Sequence, residues 1–356
     1  MTWRLLGGPG SPYSLKLRAL LRYRHIPHVW IVPQSYIGQA AELAEAGKRM
    51  IPVLQTPEGD YLADSTPLIR HLDRLIPGRE VMPPDPAAAF LSGLIEDFAD
   101  EWMVYAMFDS RWSTPAESDW CARRQMSAWL GPMPREEFDG IVTQFSGRQE
   151  RARAIICGPD SNRPVYRASI ERLTDAVEHL LDESQFLFGS RPSPGDFGLF
   201  GALSQIAVDP VASAILKPRG PRAFQWVQSL DDASGLDGVW SPDWPEALRD
   251  LLRLAAETHL AFLARLAEIA EGGETATLRF TPFGQPYELE IQPSRDLKPK
   301  GLGLGYRLRS LAALKGELAA LSPGDRARVE LLLRDTGCWE ALQPRAGENL
   351  SPLPMR

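Results

Sequence analysis

Cysteine is scarce in this chain. Three occur in 356 residues, at Cys121, Cys157 and Cys338, and none forms a C-x-x-C pair. That excludes a disulfide framework, a zinc knuckle and a dithiol redox centre, and it fits a reducing compartment. Histidine is scarce too, with five residues. His25 and His28 make an H-x-x-H without an evident third ligand, so they are read as loop histidines and no metal is expected. No uninterrupted apolar run approaches membrane-spanning length. The opening MTWRLLGGPG lacks the charged-then-apolar pattern of an export signal, so a cytoplasmic protein without membrane contact is expected. An excess of positive charge is also missing. The formal net charge of -7 argues against nucleic acid or an anionic membrane surface as partner. The local basic run Lys16, Arg18, Arg22 and Arg24 is read as the wet side of one helix.

Proline and glycine are plentiful, at 31 and 29 residues, and they punctuate the chain. The most informative stretch is Met50–Arg74. Ile51-Pro52-Val53-Leu54 is an apolar run broken by one proline, which belongs at an edge or a strand start. Thr56-Pro57-Glu58-Gly59 has type I turn chemistry. Tyr61-Leu62-Ala63 pairs back. Ser65 and Thr66 before Pro67 read as a cap with an early-helix proline, and Leu68, Leu72, Leu75 and Ile76 recur at helical spacing. A free strand start invites an extended peptide, and a helix start invites a carboxylate. The stretch therefore resembles a seat for a small acidic peptide.

Upstream, Trp3–Leu6 reads as a strand. Ser11 followed by Pro12 opens a helix, and Val29–Val32 is a second strand. Strand–helix–strand suggests a parallel pair. A polar, alanine-rich stretch at 34–48 is expected to form a short helix. The order βαβ plus ββα is that of a thioredoxin-like fold, assigned to residues 1–80. Prolines between Pro77 and Pro86 make a linker. From 87 to 272 the character is all-helical. Phe98, Trp102, Tyr105, Phe108 and Trp112 fall on one helix face, and further helices are expected near 116–130, 134–156, 167–184, 194–208, 220–230 and 243–271. Ser193-Pro194-Gly195-Asp196 is a shortened capping box. Its helix carries Gly195, Gly198 and Gly201, each costing roughly 1 kcal/mol against alanine, so that helix is expected to be central and closely packed. Residues 275–356 read as a hairpin, at 275–280 and 287–291, followed by helices near 306–321 and 323–334. Gly301-Leu302-Gly303-Leu304-Gly305 lacks the spacing of a dinucleotide loop.

This plan resembles that of the glutathione S-transferases, over roughly residues 1 to 270. Ser11-Pro12-Tyr13-Ser14 resembles the helix opening of the serine- and cysteine-type classes. Met50-Ile51-Pro52-Val53-Leu54 resembles the family's V-P-x-L, whose proline is cis. Asp64-Ser65-Thr66-Pro67-Leu68-Ile69 resembles its acidic-serine segment, and Leu187–Asp196 its helical-domain cap. The resemblance implies an α+β protein: a thioredoxin-like N-terminal domain, an all-α C-terminal domain, and here a small hairpin-and-helix appendage. It implies a homodimer that binds glutathione as co-substrate and places its thiolate on a hydrophobic electrophile. A binding or scaffold protein without turnover, and a glutathione-dependent isomerase or lyase, are the alternatives.

The resemblance also assigns residues. The γ-glutamyl end falls to Asp64 and Ser65, the cysteinyl backbone to Val53 after Ile51 and Pro52, and Tyr13 lies close by. Tyr105, Phe108 and Trp112 are candidate pocket wall, although aromatics at helical spacing are more often core. The acidic residues Glu96, Asp97, Asp100, Glu101 and Asp109 are read as a solvated face. Met50 stands where many members carry a lysine, so Lys48 or Arg49 would have to meet the glycyl end. Ser11 is the candidate that activates the thiol, with Tyr13 and Ser14 as alternatives. A thiol of reference pKa near 8.5 is mostly neutral at pH 7. A helix N-terminus supplies about 0.3–1 kcal/mol to an anion, and about 2 when partly buried. A charge-assisted hydroxyl bond adds about 1.5–3 kcal/mol. At about 1.36 kcal/mol per pKa unit, the two together bring the thiol near neutrality.

Overall fold

The computed structural model describes residues 2–31, 36–48, 50–272, 276–291, 304–344 and 348–353. Strand β1 (Trp3–Leu6) runs parallel to β2 (His28–Ile31), with helix α1 (Pro12–Tyr23) as the crossover. Strand β3 (Val53–Gln55) pairs antiparallel with β1, and β4 (Tyr61–Ala63) antiparallel with β3. The sheet order is β2-β1-β3-β4. With α2 (Tyr36–Glu45) and α3 (Ser65–Leu75) this is a thioredoxin-like unit. Pro52 stands just ahead of β3, joined to Ile51 by a cis peptide bond. Because β3 has neighbours on both sides, a ligand peptide has no edge to run along and meets this strand only at its start. Residue 49 and the 301–303 part of the glycine run lie outside the described residues.

The helical part begins with α4 (Pro86–Glu101) and α5 (Met103–Trp112), so the aromatic run is divided at Trp102 between two helices. Then follow α6 (Pro115–Trp129), α7 (Arg135–Ile156), α8 (Arg163–Glu183), α9 (Pro194–Ile206), α10 (Pro210–Arg219), α11 (Pro221–Asp231) and α12 (Ala247–Ala255). A π-helical turn, Ala256–Leu260, leads into α13 (Ala261–Gly272). Helix α10 lies between two expected helices, in a stretch for which none was expected. Pro210 occupies its first turn and Pro218 its last.

Helix α9 is the axle. Every residue from Pro194 to Ile206 is buried, and it packs on α4 and α1. A Cβ on Gly195 would lie 2.9 Å from the Ser92 carbonyl oxygen, and one on Gly201 3.0 Å from that of Pro12. The glycines are thus where α4 and the start of α1 come closest. The capping box forms as the sequence suggests. The Asp196 carboxylate accepts from the Ser193 N–H at 2.8 Å, the Ser193 hydroxyl at 2.7 Å and the Leu187 N–H at 3.0 Å.

The C-terminal extension is integral to the core. Strands β5 (Ala276–Phe280) and β6 (Tyr287–Ile291) form the expected hairpin. Its alternation buries Leu278, Tyr287, Leu289 and Ile291 in the main core. The Tyr287 hydroxyl meets that of Tyr166 at 2.9 Å, and the Asn162 amide bonds both the N–H and the carbonyl of Glu288. Helices α14 (Leu304–Ala320) and α15 (Pro323–Thr336) then pack on α4, with α14 also against α13. Replacing Asp196 by Ala would strand buried N–H groups at Leu187 and Ser193. We expect a loss of about 2–5 kcal/mol in urea unfolding, with Asp196→Asn costing less.

Candidate functional site

Strand register assembles the site. Leu6 lies opposite Val53, and Val53 opposite Ala63. The end of β1, the start of β3 and the end of β4 therefore share one end of the sheet. Ser11, Pro52 and Asp64–Ser65 are each within a few residues of that end. The loop between β1 and α1 is held from beneath. The Pro9 carbonyl accepts from Gln205 and the Gly10 carbonyl from Arg111, both at 3.0 Å. Helix α6 crosses over the loop. A Cβ on Gly8 would lie 2.5 Å from the Trp129 ring, and one on Gly10 2.6 Å from Gln125. Only glycine leaves room there.

The three candidate hydroxyls are in different situations. Ser11 is the N-cap of α1, and its oxygen accepts from the Ser14 N–H at 3.3 Å. It is partly exposed, and its own proton is not used among the described residues. Ser14 is fully buried; its hydroxyl has no hydrogen-bond partner among the described residues and lies 2.9 Å from where a Cβ on Gly7 would stand. Tyr13 donates to the Asp100 carbonyl at 2.8 Å. Burial raises the Tyr13 pKa well above the ordinary phenol value, with the Glu101 and Asp100 charges adding to it.

Asp64 and Ser65 are not a plain helix cap. Asp64 precedes α3, but its side chain makes no capping bond. Its backbone is held at φ 81°, ψ 107°, a left-handed conformation that costs a non-glycine residue on the order of 1–3 kcal/mol. Strain of that kind persists where surrounding structure enforces it, and it concentrates at ligand clamps. The Asp64 carboxylate accepts from the Tyr306 hydroxyl at 3.0 Å. Ser65 is already the first helical residue and is buried, and Thr66 bonds the Asp100 carboxylate at 3.4 Å. The starts of α1 and α3 are thus both tied to Asp100.

The charges correct the sequence reading most sharply. Glu96, Asp97, Asp100, Glu101 and Asp109 are buried, not a solvated face. Lys16 and Arg24 are buried as well, and only Arg18 and Arg22 keep exposure. The Lys16 ammonium lies 2.5 Å from both Glu96 and Asp100. Burial works against its charge, but Asp100 and Glu96 outweigh it and raise the pKa to about 12. Burial lifts Asp100 to about 6, against the pull of Lys16. Arg24 pairs with Asp73 at 2.9 Å. Asp97 bonds His259 at 2.7 Å, and Glu101 pairs with Arg307 at 2.8 Å. Burial lifts Glu101 to about 8, with Arg307 opposing and Asp97, Asp100 and Asp64 reinforcing.

Of the aromatic candidates, Tyr105 and Trp112 are buried. Tyr105 is core, flanked by Trp102 and Phe262 with the Arg307 guanidinium 4.5 Å over its ring. Trp112 is buried in a separate cluster with Cys121, Ala122, Met126 and Val142. Phe108 keeps partial exposure and bridges that cluster and the main core. The side chains that border the loop are instead Trp129 and Gln125. The sequence placed them near the end of a helix but offered no signal for the face they take. Tyr306 and Arg307 were missed altogether. Met50 is exposed and brings no charge. His25 and His28 each bond a backbone carbonyl, Ser234 and Ile26 respectively, and all three cysteines are free and buried. No single helix among the described residues is long and apolar enough to cross a membrane.

Glu101 gives a pH test. A pKa raised from 4.5 to about 8 means that the folded state keeps a proton the unfolded state has released. Its contribution is full below about pH 4.5 and is lost as pH rises through 8. Unfolding free energy measured by denaturant at pH 5, 6.5 and 8 should therefore show a falling component that Glu101→Gln removes.

Residues 5–80 match the family model described as glutathione S-transferase, N-terminal domain. The search of curated proteins found no match. Among solved structures, the chain is similar to a glutathione S-transferase from Rhodospirillum rubrum F11, at 18% identity and TM-score 0.44, covering 70% of this chain and 99% of that one. It is also similar to a beta-etherase from Sphingobium sp. strain SYK-6, at 18% identity and TM-score 0.46, covering 70% and 98%. A glutathione S-transferase from Methylobacterium radiotolerans, in complex with glutathione sulfonate, matches at 20% identity and TM-score 0.40, covering 68% and 98%. The thioredoxin-like sheet unit, residues 5–80, thus matches the N-terminal domain of the glutathione S-transferases, and a helical part follows it.

Proposed function

We propose that the protein is a cytoplasmic glutathione transferase that places glutathione at this sheet end and passes its thiolate to a hydrophobic electrophile. One observation carries the reading. Ser11, partly exposed and with its proton unused among the described residues, caps α1 at the sheet end where the strained Asp64 and the start of α3 also lie. The γ-glutamyl carboxylate goes to the N–H groups of α3 and its ammonium to Asp64. The cysteinyl backbone meets Pro52 and Val53 beside Ile51. The sulfur reaches Ser11, whose hydroxyl donates to the thiolate while the N-terminus of α1 stabilises the charge. Tyr13 contributes shape, because its hydroxyl is already engaged with Asp100. The homodimer implied by the family is part of this proposal. Its interface has to avoid α4, which α9, α14 and α15 of the same chain cover.

A second reading, glutathione binding without turnover, is favoured by one feature. The crevice lined by Pro12, Tyr13, Asp100, Val104, Met107 and Ala202 has no room for a water molecule. The two readings differ in Ser11→Ala. As an enzyme, that variant keeps glutathione binding by calorimetry, loses the thiolate absorbance band, and loses about tenfold to a hundredfold in turnover on a panel of hydrophobic electrophiles. An intact band in Ser11→Ala would remove Ser11 from the role, and a wild-type protein that binds glutathione yet turns over no electrophile supports the binding reading. Loss of the N-cap alone costs about 1 kcal/mol in stability, which a parallel unfolding measurement separates.

A further inference from the structure

The extension reaches the seat. Tyr306, in the first turn of α14, lies 242 positions from Asp64 in sequence, yet its hydroxyl donates to the Asp64 carboxylate at 3.0 Å. Its placement is fixed by contacts along the whole helix. The next residue, Arg307, pairs with Glu101 at 2.8 Å and donates to the Glu101 carbonyl at 3.2 Å. Ser310 bonds Asp97, and Glu317 pairs with Arg70 of α3 at 3.3 Å. Helix α14 therefore spans α3 and α4 and holds a phenol against the one carboxylate that precedes α3. The phenol stays neutral, since burial and then the Asp64 charge raise its pKa well above the ordinary value. It remains a donor at any physiological pH.

A carboxylate on a strained backbone position can swing about its side-chain torsions. A neutral donor on one oxygen fixes the plane of the group without neutralising it, and a fixed carboxylate is a better counter-charge for an ammonium. We propose that Tyr306 is a positioning residue for ligand binding: it orients Asp64 toward the α-ammonium of a γ-glutamyl ligand, which makes the C-terminal extension part of the glutathione seat. This rests on the glutathione reading above.

The test compares two ligands that differ by that ammonium alone, glutathione and its des-amino analogue, glutaryl-cysteinyl-glycine. Calorimetry on the full chain should show that the wild type prefers glutathione. Tyr306→Phe should weaken glutathione about tenfold, as expected for one positioning hydrogen bond to a charged group, and leave the analogue unchanged. Asp64→Asn should abolish the same preference, and Tyr306→His, which can still donate, should keep part of it. Equal weakening of both ligands in Tyr306→Phe would mean a general structural role and overturns the proposal. So does unchanged binding, and so does tighter glutathione binding, which would make Tyr306 a plug. A wild type that binds glutathione and the analogue alike overturns it without touching the glutathione reading. A wild type that binds neither overturns both.

Discussion

Four buried carboxylates on one helix organise this molecule. Glu96, Asp97, Asp100 and Glu101 lie in the last two turns of α4, and burial there without partners would be prohibitive. Their partners come from four separate places: Lys16 from α1, His259 from the π-helical turn, Ser310 and Arg307 from α14, and Thr66 from α3. Removing one partner of such a pair strands a charge, at a cost of about 3–5 kcal/mol. The pairs add little net stability, but they allow few alternative arrangements. In doing so they fix how the sheet unit, the helices and the extension meet.

That constraint places the candidate chemistry. Asp100 is shared between α1 and α3, through Lys16 and the Tyr13 hydroxyl on one side and Thr66 on the other. The two helix starts that would bind an acidic peptide and its thiolate are thereby held at a fixed separation. The glycine face of α9 supplies the opposite support, with Gly201 against the Pro12 carbonyl one residue past Ser11. The strained Asp64 sits between these supports and the extension. Its conformation is affordable because α3, α4 and α14 are cross-linked around it.

What was readable in the sequence was local. The βαβ and ββα order, the proline ahead of β3, the Ser193–Asp196 box and the hairpin all rest on residues within a turn or a strand of one another. Each formed within a few residues of its expected position. What could not be read were partners brought from afar. Lys16 and Glu96 are 80 positions apart, and Tyr306 and Asp64 are 242. Charged side chains are usually exposed, so the acidic residues of α4 and the basic ones of α1 were assigned to water, and only tertiary pairing reverses that assignment. Tyr105 failed for a related reason. Helical spacing put it on an aromatic face, but it could not show that the face packs against Phe262 and Arg307 in the core. Ser11 itself was legible as a cap. Its proposed role rests on the engagement of Tyr13 with Asp100 and the burial of Ser14.

The most direct measurement is a structure of the full chain soaked with glutathione. The account predicts the γ-glutamyl carboxylate on the N–H groups of Ser65 and Thr66, its ammonium on Asp64, and the sulfur within hydrogen-bond distance of the Ser11 hydroxyl. A sulfur seated on Tyr13, or a ligand bound away from this sheet end, would contradict it.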